Sequence, residues 1–139
     1  MLRPLPLSRA LANRDVDGST VIDGNSNYQA TAMDCYLACK NTTGCNLWIY
    51  CANTLGCSSS GSGDQYTLDL SKYRQCWGKY DNPTRQGFPF VKNTATQEVG
   101  WLSGTMAGST AASAGLTDTT YAGCSCKASY SAGGSNFKV

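Results

Sequence analysis

Cysteine is the residue type in this chain most able to do chemistry. Eight cysteines occur in 139 residues, with no histidine at all. They fall as Cys35, Cys39 and Cys45, then Cys51 and Cys57, then Cys76, and finally Cys124 and Cys126. Two chemistries compete for such a set. Structural zinc sites are built on close Cys-x-x-Cys pairs, often with histidine, and neither feature is present. An even count in a short chain instead fits complete pairing in an oxidising compartment. The sequence therefore predicts disulfides, an extracellular location (cell surface, cell wall or matrix) and no resident cofactor or metal.

Catalytic constellations are hard to find. Without histidine the commonest general base is missing, and oxidised cysteines supply no thiolate nucleophile. The nine acidic residues are scattered, mostly in turns, and form no recognisable carboxylate pair. The expectation is that the chain is not an enzyme. Asp15-Val16-Asp17-Gly18 mimics the start of a calcium loop, but Thr20 and Ser26 stand where such a loop needs glycine and glutamate. It reads as a turn. Eleven basic residues against nine acidic ones give a net charge of +2 without a cationic run, which argues against nucleic acid as a partner. No apolar stretch approaches the length of a membrane span.

Three features point to surface chemistry. Asn41-Thr42-Thr43 is an N-glycosylation sequon in an expected exposed turn, so Asn41 is expected to carry a glycan. The Ser/Thr-rich stretch from Ser103 to Thr120 is suited to O-linked sugar. Trp48, Tyr50, Trp77, Tyr80 and Trp101 could together form an aromatic surface, since such faces stack on sugar rings and dominate protein interfaces. Core packing is the competing role for the same side chains.

The elements that must position these groups are legible in outline. Ser19–Ile22 reads as a short strand between two Asp-Gly turns. Thr31-Ala32-Met33-Asp34 matches a capping box, and a helix should run from about Ala32 to Lys40, with Cys35 and Cys39 on one face. Lys40 suits its C-terminal end, and Gly44 can reverse the chain. Cys45–Cys51 is the strongest strand, with Cys45, Leu47, Ile49 and Cys51 on one face and Asn46, Trp48 and Tyr50 on the other. Residues 58–64 are a Ser/Gly-rich loop, and further strands are expected at Gln65–Leu68, Gln75–Tyr80 and Val99–Leu102. A sheet with one helix covers one face only, so the other face is expected to be exposed, glycosylated or covered by something else.

The ends differ in character. Residues 1–14 read as an extended arm, because Pro4 and Pro6 forbid a regular helix. Leu5 and Leu7 alternate with those prolines and would face one side. Met1–Ala12 also lacks the continuous apolar stretch of a signal peptide, which suggests a mature chain or a fragment. Residues 107–139 read as a Ser/Thr/Ala/Gly-rich tail tethered by Cys124 and Cys126.

The arrangement Cys35-x3-Cys39-x5-Cys45 on a capped helix feeding a strand resembles the PAN/Apple domain family, as does Cys76-Trp77-Gly78-Lys79. The run Cys45-Asn46-Leu47-Trp48-Ile49-Tyr50-Cys51, with Gly56-Cys57 and Gly100-Trp101-Leu102-Ser103-Gly104, looks most like PAN domains in extracellular proteins of green algae. The resemblance covers residues 15–106. Gly78 departs from it, standing where the family usually has leucine, and Cys124 and Cys126 lie outside it. It implies an α+β fold, a small antiparallel sheet packed on one short helix. It also implies the bonds Cys35–Cys76 and Cys39–Cys45, leaving Cys51–Cys57 as a local pair. Cys124 and Cys126 are left to pair with each other under strain or with an external partner. If the source is algal, the resemblance also allows hydroxylation and glycosylation of Pro4 and Pro6.

Two functions follow as expectations. The first is a structural or adhesive glycoprotein module that assembles with its own copies into a matrix or filament, the arm docking on a neighbour. The second is a recognition module of a larger secreted protein, binding carbohydrate or a matrix protein.

Overall fold

The computed structural model describes residues 10–58, 67–94 and 97–106. Leu5, Leu7, Cys124 and Cys126 lie outside these residues, as do the tail at 107–139 and most of the Ser/Gly-rich loop. Within them the chain is an α+β fold of one helix, seven short strands and three disulfides. No helix among the described residues is long and apolar enough to cross a membrane.

The strands are β1 (Leu11–Ala12), β2 (Ser19–Ile22), β3 (Leu47–Cys51), β4 (Cys57–Ser58), β5 (Leu68–Asp69), β6 (Cys76–Tyr80) and β7 (Trp101–Thr105). Five of them form an antiparallel sheet in the order β1-β7-β3-β6-β2, and β4 pairs with β5. The central strand β3 is Leu-Trp-Ile-Tyr-Cys and buried at every position, as a strand covered on both faces must be.

The helix α1 (Ala32–Lys40) begins where the Thr31 Oγ1 accepts from the Asp34 amide at 3.1 Å. That satisfies one of the four orphan donors at its N-terminus. Gly44 takes a positive φ of 86° just beyond its end, a conformation that costs glycine nothing. Ala32, Cys35, Tyr36 and Cys39 face the sheet and pack on Trp48, Tyr50, Cys76 and Leu102. Cys35–Cys76 ties the helix to β6, Cys39–Cys45 ties its end to the approach of β3, and Cys51–Cys57 ties β3 to β4. This is the pairing that the family resemblance implies.

Of the alternatives left open for the second sheet face, the structure shows cover, and by this chain's own irregular segments. Leu47, Ile49 and Cys51 pack with Val16, Phe88, Val99 and Trp101. A bridge between Val16 and Val91 crosses above them, flanked by Asp17 N–H to Phe90 O and Lys92 N–H to Asp15 O, both at 2.8 Å. Irregular backbone can be buried only if its polar groups are paired. Two buried asparagines do this. The Asn13 Oδ1 accepts from the Val99 amide at 2.7 Å, and its Nδ2 donates to Gln97 O at 2.9 Å. The Asn93 Oδ1 accepts from the Asp15 amide at 2.8 Å, and its Nδ2 donates to Asn13 O at 3.0 Å.

Several boundaries shift for local reasons. Ala10, Leu11 and Ala12, read from the sequence as the end of the arm, are buried, because β1 completes the edge beside β7. β3 starts at Leu47; Cys45 turns to the helix side to bond Cys39 and so leaves the face assigned to it. β7 starts at Trp101, because Gly100 has a φ of 78° and its amide is turned toward the Asn13 side chain. The strand expected at Gln65–Leu68 is observed only at Leu68–Asp69, residues 65 and 66 lying outside the described residues.

Candidate functional site

The five aromatic residues expected on one surface are divided by the sheet. Trp48 and Tyr50 are fully buried under the helix, and Trp101 is buried on the opposite face. Trp48 owes its place to glycine on both neighbouring strands, since it pairs with Gly78 in β6 and Gly104 in β7. A Cβ on Gly104 would lie 2.7 Å from the Trp48 indole. On Gly78 it would lie 2.8 Å from the Cys45 sulfur and 2.7 Å from Ile22. Glycine at 78, where the family resemblance leads one to expect leucine, therefore has a packing cause: the disulfide and Ile22 fill that space. Tyr80 is exposed, and it borders a separate shallow depression with Asp81, Arg85 and Phe90. There Arg85 pairs with Asp81 and lies 5.9 Å from the Phe90 ring centroid.

Of the three tryptophans, Trp77 is the one that the fold leaves partly exposed. Strand alternation sends Trp77 and Lys79 to the second face, opposite the helix. Trp77 sits directly across from Ile49. Together with Trp101 these residues line a cleft of about 270 Å³. The indole of Trp77 is fixed before any ligand arrives. Its Nε1 donates to the Gln75 Oε1 at 3.0 Å, and Gln75 in turn donates to the Tyr28 hydroxyl at 3.2 Å. The 3-10 turn Gly24–Ser26 lies against the ring so closely that a Cβ on Gly24 would be 2.3 Å from Nε1. Only glycine permits that approach.

Polar side chains share the lining with these apolar ones: Asn25, Lys72, Asp15 and Lys79. Lys79 Nζ reaches Val16 O at 3.4 Å and lies 6.0 Å from the Trp77 ring centroid. Burial, and then the neighbouring Lys92, hold the Lys79 ammonium pKa below its ordinary value, with Asp15 and Asp17 acting the other way. Asp15 is buried and forms an ion pair with Lys92 at 3.5 Å. Ser58 also lines the cleft. Its carbonyl accepts from Trp101 Nε1 at 2.9 Å, while its buried Oγ has no partner among the described residues. Buried hydroxyls are ordinarily paired, and this one is not.

Of the cleft residues, the sequence reading singled out Trp77 and Trp101 as candidate binding groups, and Asp15 as part of a calcium-like turn. Asp15 is instead engaged with a lysine, and no cluster of three metal-ligating side chains occurs among the described residues. Asn25, Ser58, Lys72 and Lys79 were missed. Only Lys79 had a legible signal, its period-two relation to Trp77. Asn41 caps the C-terminus of α1 and is exposed, as is Thr43 of its sequon. Compared with known protein families, curated proteins and solved structures, the chain matches none.

Proposed function

We propose that this chain is a secreted, non-enzymatic binding module that takes a saccharide ring in the cleft beside Trp77. The carrying observation is the cleft itself: a half-buried indole held rigid by Gln75 and Gly24, next to a rim of hydrogen-bonding groups. A sugar ring has the complementary chemistry, an apolar C–H face for the indole and hydroxyls for the rim. The cleft is smaller than the ~300–1,000 Å³ typical of sites for drug-sized ligands, which suits one or two rings. Three disulfides suit the oxidising compartment in which such a module would work. In this reading Asn41 carries a glycan, which the mass of the Asn41 peptide from native material checks.

The test is a glycan array with the intact protein, followed by titration of the best hits while tryptophan emission is recorded. Trp77→Leu should weaken binding at least about tenfold, the loss expected for an aromatic anchor. Tyr80→Leu, in the separate depression, should leave it unchanged. Equal binding by wild type and Trp77→Leu would refute the cleft as the site.

A second reading, a self-assembling matrix or filament subunit, draws on the sheet edges. β2 is the outermost strand, with Val21 exposed, while the chain enters the fold at β1 on the opposite edge. Residues 1–9 of one copy could therefore extend toward the β2 edge of the next, a head-to-tail contact that propagates. Fibres in micrographs of the whole chain, absent on deletion of residues 1–9, would support that assembly; fibres unchanged by the deletion would refute it.

A further inference from the structure

The cleft is richer in donors than a neutral sugar needs. Lys72 and Lys79 both line it, against the single carboxylate of Asp15. Asp15 is already engaged by Lys92. The charges near Lys79 are Lys92 on the same side as Lys79 in sign, and Asp15 and Asp17 opposed to it. Asp69 lies near Lys72, and its carboxylate also caps the Leu70–Lys72 turn by accepting from the Ser71 amide and hydroxyl. Asn25 accepts from Gln75 through Oδ1, which leaves its amide nitrogen as a further donor. The lining therefore holds two ammonium groups and an amide donor against one carboxylate that is already paired.

We infer that the ligand of this cleft is an anionic saccharide, a ring bearing a carboxylate or a sulfate, held between Lys72 and Lys79 with Trp77 against its apolar face. This rests on the proposal that the cleft is a saccharide site. An anionic oxygen is a stronger acceptor than a hydroxyl, and its hydrogen bonds to ammonium are about twice as strong as neutral ones. The low pKa of Lys79 is consistent with this: its ammonium is desolvated and crowded by Lys92, and a bound anion would raise that pKa back toward its ordinary value.

The experiment compares charged rings with neutral counterparts of the same shape, using the intact protein. The probes are trigalacturonate against its methyl ester, and a sulfated galactose trimer against the unsulfated trimer. Binding is read by calorimetry and by the Lys79 side-chain resonances. One or both anionic probes should bind at least about tenfold more tightly than their neutral partners, with affinity falling as salt rises. Which of the two binds distinguishes carboxylate from sulfate. Lys79→Met and Lys72→Met keep the stems and should bring the anionic probe to the affinity of its neutral partner. If charged and neutral probes bind alike, and Trp77→Leu weakens both, the charge inference fails while the saccharide site stands. If no probe binds, or Trp77→Leu leaves binding intact, both fail.

Discussion

Opening the Cys35–Cys76 bond should cost more stability than opening either short one, and the difference can be worked from the loop lengths. Cys35 and Cys76 are separated by 41 positions, Cys39 and Cys45 by 6. A cross-link stabilises chiefly by removing conformations from the unfolded chain, with an entropy that grows as the logarithm of the loop. For the long loop this amounts to about 13 cal/mol/K, or about 4 kcal/mol at room temperature. For the short loop it is about 8 cal/mol/K, or about 2.4 kcal/mol. Both six-position bonds lie inside the long loop and short-circuit part of it, which lowers the first figure to about 3.7 kcal/mol. Cys35, Cys76 and Cys39 are fully buried, while Cys45 is only partly so. The cavity left by replacement is therefore also larger for the long bond, and adds to the same ordering. The perturbation is the pair of double variants Cys35→Ala/Cys76→Ala and Cys39→Ala/Cys45→Ala. Equilibrium urea unfolding gives each ΔG, and the first should lie at least about 1.3 kcal/mol below the second. With native domains stable by only about 5–15 kcal/mol, either loss is measurable without abolishing the fold in every case. Equal losses, or a larger loss for the short bond, would refute the loop-entropy account of this framework.

Gly104→Ala should destabilise the fold by about 1–3 kcal/mol, because the added Cβ lands 2.7 Å from three atoms of the buried Trp48 indole; an unchanged melting temperature would show that the ring can move aside. Alkaline stability should report on Tyr50. Burial, and then Tyr73, raise its pKa from 10.0 to about 12, and its hydroxyl donates to Gln29 O at 3.0 Å. A phenol with a raised pKa in the folded state contributes stability that is complete below pH 10 and lost as pH climbs from 10 toward about 12, since the unfolded chain ionises first; the amount is about 2–3 kcal/mol. Lys79, whose pKa is lowered, acts in the opposite sense as pH rises toward its ordinary value. The comparison with Tyr50→Phe in urea titrations from about pH 7 to about 11 isolates the phenol: the variant should be less stable at neutral pH by about 1 kcal/mol for the lost hydrogen bond, and should show a flatter decline. Parallel curves would sink that assignment.

What the sequence determined by itself was local. The helix from Ala32 to Lys40 is specified by the Thr31 cap and by two cysteines four residues apart, and the alternation of Leu47, Trp48, Ile49 and Tyr50 assigns their faces without any partner in view. These depend on backbone periodicity and on neighbours within one turn, so a linear reading can find them. The tertiary structure alone decided what those faces meet. The cover over the second face is irregular backbone around Val16, Phe88–Thr94 and Val99, which has no period to read; Asn13 and Asn93, 80 positions apart, satisfy amides and carbonyls within it. The same holds for the aromatics. Trp48 and Trp77 look alike in the chain, yet one lies over Gly104 from a distant strand and is sealed, while the other is held at its edge by Gly24 and Gln75 and borders a cleft. A tryptophan's role is set by how much room its cross-strand neighbours leave, and those neighbours are chosen by sheet order, which strand patterning does not contain.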